Sequence, residues 1–288
     1  MATLAAPTAG SPAKKAPAAP GIPVRNLHFG ITSETPRYWF GERAGPTQFM
    51  NALSSTFPGG EAFFVRSVQH YRARIEDPDL EARIRGFAGQ EGVHAREHGS
   101  HVDVLDRQGY PGIRKINQQA DREMRFLNRH LPLWSLAVTA SLEHITAIMA
   151  RQALSDPDYW AGPMHEDMAP LWQWHAMEEA EHKSVAFDVL ERVSNSYPRR
   201  AAAMAYATFG LLMDNLVRWV YLTAKDGNLT KPGIWADTAR FLWGRNGLYR
   251  RILPDYRRWF RRGFHPDDQD DSALIREARE RLAPSVPA

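Results

Sequence analysis

Between residues 55 and 195, apolar positions recur at steps of three and four, and no long stretch alternates with the two-residue period of a strand. The punctuation predicts four long helices. Pro58, Gly59 and Gly60 stand before a first helix, Glu61 to Glu76. Pro78 and Asp79 open a second, which Gly109 and Pro111 close near Gln108. A third begins near Ile116, is interrupted at Pro132, and resumes from Leu133 to Leu154, where Asp156, Pro157 and Asp158 stop it. A fourth runs from Ala169-Pro170 to Val193, ahead of Asn195 and Pro198.

A further apolar run, Ala201 to Ala224, is long enough to cross a bilayer. Asp214, Asn215 and Arg218 lie within it, and a charge at bilayer depth costs about 2.5–3.5 kcal/mol. We expect a buried helix of a soluble protein there, with a membrane-associated helix as the alternative. The predicted fold class is all-α, a four-helix bundle with additional C-terminal helices. Residues 1–24 are expected as a disordered N-terminal tail, because Ala, Pro, Gly, Ser and Thr dominate Met1 to Pro20 and nothing there could pack. Residues 25–198 then form the bundle, and 199–288 a C-terminal helical extension packed on it.

Composition narrows the chemistry. A chain of 288 residues with 43% hydrophobic and 24% charged residues can bury a large core without covalent staples. It has no cysteine, which excludes disulfides, thiolate nucleophiles, zinc–thiolate sites and iron–sulfur clusters. Any metal must sit on His, Asp or Glu. The net charge of +3 is too small to imply nucleic acid by itself. No apolar run of signal-peptide type opens the chain, and Lys14 and Lys15 fall mid-segment, so a cytoplasmic location is expected, with membrane association left open.

Two Glu-x-x-His steps stand out, Glu91 to His94 on the second helix and Glu179 to His182 on the fourth. A three-residue step puts carboxylate and imidazole on one helix face, one turn apart, where both can reach one cation. Bundle proteins with two metals add one Glu from each of the other two helices. Glu61 and Glu143 fill those places, so the order Glu, Glu-x-x-His, Glu, Glu-x-x-His is complete along the chain. On the fourth helix the candidates share a stripe with apolar residues, through Trp172, His175, Glu179, His182, Ala186 and Val189, unlike a solvated face. His175, four residues before Glu179, is a seventh candidate ligand. His98 and His144 are candidates for a general acid or base, or for a hydrogen bond to a ligand. His101 reads as an ordinary core polar residue, and Glu97, Glu178 and Glu181 point off the stripe and are expected to be solvated.

This ligand pattern resembles the ferritin-like di-iron carboxylate proteins, and His175-x-x-x-Glu179-x-x-His182 resembles the variant with an added histidine in arylamine N-oxygenases. Gly60-Glu61-Ala62-Phe63-Phe64, Gln90-Glu91-Gly92-Val93-His94, Leu142-Glu143-His144, Glu178 to Lys183 and Gly263-Phe264-His265-Pro266 are similar to a bacterial family called predicted metal-dependent hydrolases, over roughly residues 25–270. The resemblance implies a ferritin-like bundle holding two metals.

A donor set of carboxylates and imidazoles suits iron first and manganese second. The favoured expectation is a di-iron oxidase or oxygenase that uses O2 on a small, lipophilic substrate, with an electron donor or reductase as partner. The alternative is a hydrolase using a metal-activated water, and a third reading is a non-catalytic iron-binding protein. Arg245, Arg250, Arg251, Arg257, Arg258, Arg261 and Arg262 crowd one C-terminal segment with Tyr249, Tyr256, Trp259 and Phe260. There we expect aromatics packed on the bundle and a solvated Arg face offset by Asp267, Asp268, Asp270 and Asp271. A peripheral membrane contact through Arg245–Arg262 is the alternative, nucleic acid is disfavoured, and a homodimer is expected on analogy alone.

Overall fold

The computed structural model describes residues 21–160 and 162–283. Among them the chain is all-α, and its only β pairing is an isolated bridge between Phe40 and Met164. The long helices are α1 (Ala44–Gln69), α2 (Pro78–Arg107), α3 (Gly112–His130) and α4 (Pro132–Ser155). A short α5 (Pro157–Trp160) leads to α6 (Ala169–His182) and α7 (Val185–Val193). Then come α8 (Tyr197–Lys225), α9 (Pro232–Trp243), α10 (Leu248–Arg258) and α11 (Ser272–Leu282). Helices α1, α2, α4 and α6 enclose the site; α8 lies against α1 and α4, and α10 and α11 against α4.

The first helix departs from the sequence expectation. It begins at Ala44 and runs straight through Pro58, Gly59 and Gly60. Proline costs an interior helix about 3 kcal/mol and each glycine about 1. Burial outweighs that here, because nearly every residue from Gly45 to Phe57 is inaccessible, including Phe49, Met50, Leu53 and Phe57. The second helix matches its expected bounds, capped by Asp77, whose carboxylate accepts from the amides of Asp79 and Leu80. The single fourth helix expected over 169–193 is interrupted at Lys183-Ser184, both of which keep right-handed helical dihedrals.

Residues 1–20 of the expected tail lie outside the described residues, but residues 21–24 are not free. Ile22 and Val24 lie on α2 at Gly86 and Gly89, where an added Cβ would come within 2.4 Å of each. The Pro23 carbonyl accepts from Gln90.

Helix α4 is the one described helix long and apolar enough to cross a membrane, yet 72% of its apolar window is buried inside the protein and Glu143 sits within it. It is the core helix. The run 201–224 in α8, expected to be buried, buries one face only. Ala203, Met204, Ala207, Trp219 and Leu222 turn inward, while Phe209 (65% exposed) and Val217 (57%) face outward with their neighbours at helical spacing.

In the C-terminal segment the aromatics pack as expected. Trp259 is fully buried against Phe187 and Phe264, and Tyr249 meets Phe49. The charge offset differs. Arg251 pairs with Asp156 and Arg258 with Asp255, whereas Asp271 pairs with Arg151 and Lys183.

Candidate metal centre

Seven side chains from four helices meet at the centre of the bundle: Glu61 from α1, Glu91 and His94 from α2, Glu143 from α4, and His175, Glu179 and His182 from α6. All are buried. Three subsets place one donor atom from each member close enough to share a cation: Glu61, His94 and His175; Glu91, His94 and Glu179; Glu91, Glu143 and His182. The two outer subsets define two positions. At one, His175 Nε2 lies 3.0 Å from Glu179 Oε1 and 3.9 Å from Glu61 Oε1, and His94 Nδ1 lies 4.0 Å from Glu61 Oε1. At the other, His182 Nε2 lies 3.2 Å from Glu91 Oε1, 3.4 Å from Glu143 Oε2 and 3.6 Å from Glu179 Oε2.

Glu91 and Glu179 each turn one oxygen to each position. Glu61 and Glu143 lie at opposite ends. The shared carboxylates therefore come from the Glu-x-x-His helices, and Glu61 and Glu143 take the end places, a distinction the sequence pattern had left open.

Helical phase explains the convergence. Glu91 and His94, like Glu179 and His182, are one turn apart, and His175 lies one turn before Glu179. The rings of His94 and His175 stack at 4.2 Å and 14°, which aims both toward Glu179.

These donors are short of partners. Both oxygens of Glu61, Glu91 and Glu143, one oxygen of Glu179, His94 Nδ1 and His182 Nε2 are buried with no hydrogen bond. Buried polar atoms are ordinarily paired, and an orphan costs about 1–3 kcal/mol. Nine orphans within one cluster fit the binding of divalent metal, whose charge would offset the carboxylates. Without cations the charges adjust. Burial and then the neighbouring carboxylates push Glu61 well above the usual range. Burial does the same to Glu143 and raises Glu91 to about 8. Burial opposes charge on His182, but the surrounding carboxylates outweigh it and raise its pKa to about 10. Burial also works against an ionised Glu179, and His182 and His175 overcome it and hold it well below the usual range.

A second layer of groups orients the histidines. His94 turns its Nε2 to Glu178 Oε2 at 3.1 Å. Arg25 donates to Glu178 at 2.7 Å and to Glu181 at 2.8 Å. His182 Nδ1 donates to Gln90 Oε1 at 3.0 Å, and Gln90 donates in turn to Glu181. His175 Nδ1 meets His98 Nε2 at 2.7 Å, and Ser54 Oγ lies 2.7 Å from both His98 and His101.

Several expectations change on this geometry. His98 is one hydrogen bond from the cluster, and burial holds it neutral, well below the ordinary imidazole range. His144 is not brought to the site; its ring stacks on Trp259 at 5.1 Å and it faces Phe264 and the Asp255 carbonyl. Glu97, Glu178 and Glu181 are not solvated, because Arg96, Arg25 and Arg279 cover them. His101 belongs to the chain that starts at His175. Sequence reasoning missed Gln90, Glu178, Ser54 and Arg25. Only Gln90 left a trace, four residues before His94 on the ligand face.

A cavity of about 300 Å³ adjoins the cluster. His175 and Glu179 form part of its wall, and Phe57, Gly60, Met124, Leu142 and Leu211 make it predominantly apolar. Tyr206 and Gly210, both exposed, line it where it nears the surface of α8.

An all-α protein whose core holds a carboxylate and imidazole cluster able to bind metal ions is the class that fold and site define. The chain matches the family described as predicted metal-dependent hydrolase over residues 23–270, and it belongs to that family. No curated protein and no solved structure matches it.

Proposed function

We propose that this protein is an enzyme with two divalent cations in a ferritin-like bundle, acting on a small lipophilic molecule held in the apolar cavity. The observation behind this reading is the set of nine orphaned donor atoms in a cluster that shares His175 and Glu179 with the wall of that cavity. Glu61, His94 and His175 would hold one ion, Glu143 and His182 the other, and Glu91 and Glu179 would bridge. Such a pair lowers the pKa of water and polarises a carbonyl or phosphoryl oxygen. The family description supports hydrolysis as the reaction, and an ester or amide is the bond class we propose. The chain's own residues exclude bulk water with Phe57, Met124, Leu142 and Leu211, and fix the imidazole tautomers through Glu178, Gln90 and His98.

A second reading, O2-dependent oxidation at a di-iron centre, has its own support. The cavity wall is predominantly apolar, and its two residues from the cluster, His175 and Glu179, are themselves ligand candidates, which suits an oxidisable apolar substrate. One experiment separates the two. Apoprotein is loaded anaerobically with Fe(II), mixed with O2, and followed by visible absorption; in parallel, metal-loaded protein is offered aryl esters of increasing chain length. Ester turnover lost in Glu91→Ala and His182→Ala supports hydrolysis. A transient visible band at two irons per chain, lost in the same variants, supports oxidation. Less than one metal per chain would remove the centre itself.

A further inference from the structure

The outward face of α8 has no work in the site. Tyr206, Phe209, Met213, Leu216 and Val217 are 40–65% exposed; the first four follow one another at steps of three and four, and Val217 lies four after Met213. At 1.5 Å per residue they form a row about 17 Å long. Single exposed apolar residues are ordinary, but a contiguous row marks a binding surface. The two charges within this part of the helix, Asp214 and Arg218, pair with each other at 2.7 Å, and Arg218 is buried.

Charge gathers at the ends of the row. Tyr197 begins the helix beneath the Arg262 guanidinium, 5.0 Å from its ring centre. Arg200 donates to the carbonyl of Arg261. Phe260, partly exposed, is held against Tyr256, whose hydroxyl meets Thr208 of α8 at 2.9 Å. Arg199, Arg261 and Arg262 form no ion pair among the described residues. Beyond the other end lie exposed Lys225 and the exposed indole of Trp235, which packs on Trp219 at 4.8 Å.

An apolar row bounded by unpaired arginines and aromatic rings is the composition of a helix lying in a lipid headgroup layer. We propose that the outward face of α8 docks on an anionic phospholipid membrane, with Arg199, Arg261 and Arg262 at the headgroups and Phe209, Leu216 and Val217 among the acyl chains. A second copy of the chain would meet this face with the same unpaired arginines, whereas anionic lipid supplies the missing negative charge. The cavity nears the surface at Tyr206 and Gly210 on this helix, so a lipophilic substrate would pass from bilayer to cluster without crossing water. That last clause rests on the reading of the cavity as the substrate chamber; the docking itself does not.

The test is flotation of metal-loaded protein with phosphatidylcholine vesicles, with and without phosphatidylglycerol, over a range of salt. Wild type should float with the anionic vesicles at low salt and be released as salt rises. Phe209→Asp with Leu216→Asp should reduce the bound fraction at least about tenfold, since both positions would put a carboxylate against the acyl layer. Arg261→Glu with Arg262→Glu should move release to lower salt. Unchanged melting and metal content would show that these surface variants fold. Three results would overturn the proposal: no flotation at low salt, flotation indifferent to both double variants, or a stable dimer in solution that the α8 variant dissociates. Because flotation reads neither metal nor turnover, a chain that floats but lacks activity would cost the catalytic reading and leave this one standing.

Discussion

Replacing Glu143 with methionine should move the stability of the metal-free and metal-loaded protein in opposite directions. In the apoprotein this carboxyl is buried in α4 with neither oxygen hydrogen-bonded. Burial already drives it toward its neutral form, so the cost that remains is that of an unsatisfied polar group, about 1–3 kcal/mol. Methionine has a similar length and no such demand, and replacing strained buried polar groups with apolar ones is often stabilising. The apoprotein should therefore gain about 1–3 kcal/mol, which for a chain of this size raises Tm by about 2–6 °C. Metal reverses the order. A ligand at a thousandfold excess over its Kd stabilises by about 4 kcal/mol per site. Wild type should collect that for both ions, and the variant, lacking a donor beside Glu91 and His182, for about one. Differential scanning calorimetry with chelator and then with saturating Fe(II) or Mn(II) measures both. A lower apoprotein Tm in Glu143→Met, or a metal-induced shift as large as in wild type, would show that Glu143 is neither a strained buried carboxyl nor a metal donor.

Three further expectations follow from the same geometry. Burial raises the proton affinity of Glu61, Glu91 and Glu143 in the apoprotein, Glu91 to about 8, so binding should expel protons and affinity should climb as pH rises from about 6 to 8.5; calorimetry in buffers of different ionisation enthalpy would count the protons, and a flat profile would contradict the assignment. Glu178→Gln replaces the carboxyl group that His94 Nε2 meets and should weaken metal binding about 10–100-fold in chelator competition, with α-helical content unchanged. An added Cβ at Gly60 meets nothing within 4 Å and enters the cavity, so Gly60→Phe should keep full metal content yet lose binding of an apolar fluorescent probe; unaltered probe binding would place the chamber elsewhere.

Helical class was legible along the sequence because a period of 3.6 is a local property, and so were the bounds of α2, with Pro78 and Asp79 at its start and Gly109 and Pro111 after its end. The seven residues that meet at the centre were also readable, since Glu-x-x-His spacing fixes a shared helix face before any tertiary contact forms. What spacing could not supply was the identity of neighbours across helices. Whether Glu91 or Glu61 faces both positions depends on how α1 and α2 are rotated against each other. The covering of Glu178 by Arg25 joins residues 153 positions apart. The continuity of α1 through Pro58 was likewise decided by packing, because burial of its N-terminal half exceeds the local penalty of proline and glycine. His144 follows Glu143 directly, yet one residue turns a helix by about 100°, which carries it away from the cluster and onto Trp259. Local sequence thus determined which residues can act together on one helix. Only tertiary structure decided which helix faces meet, because that choice is made by burial summed over the whole core.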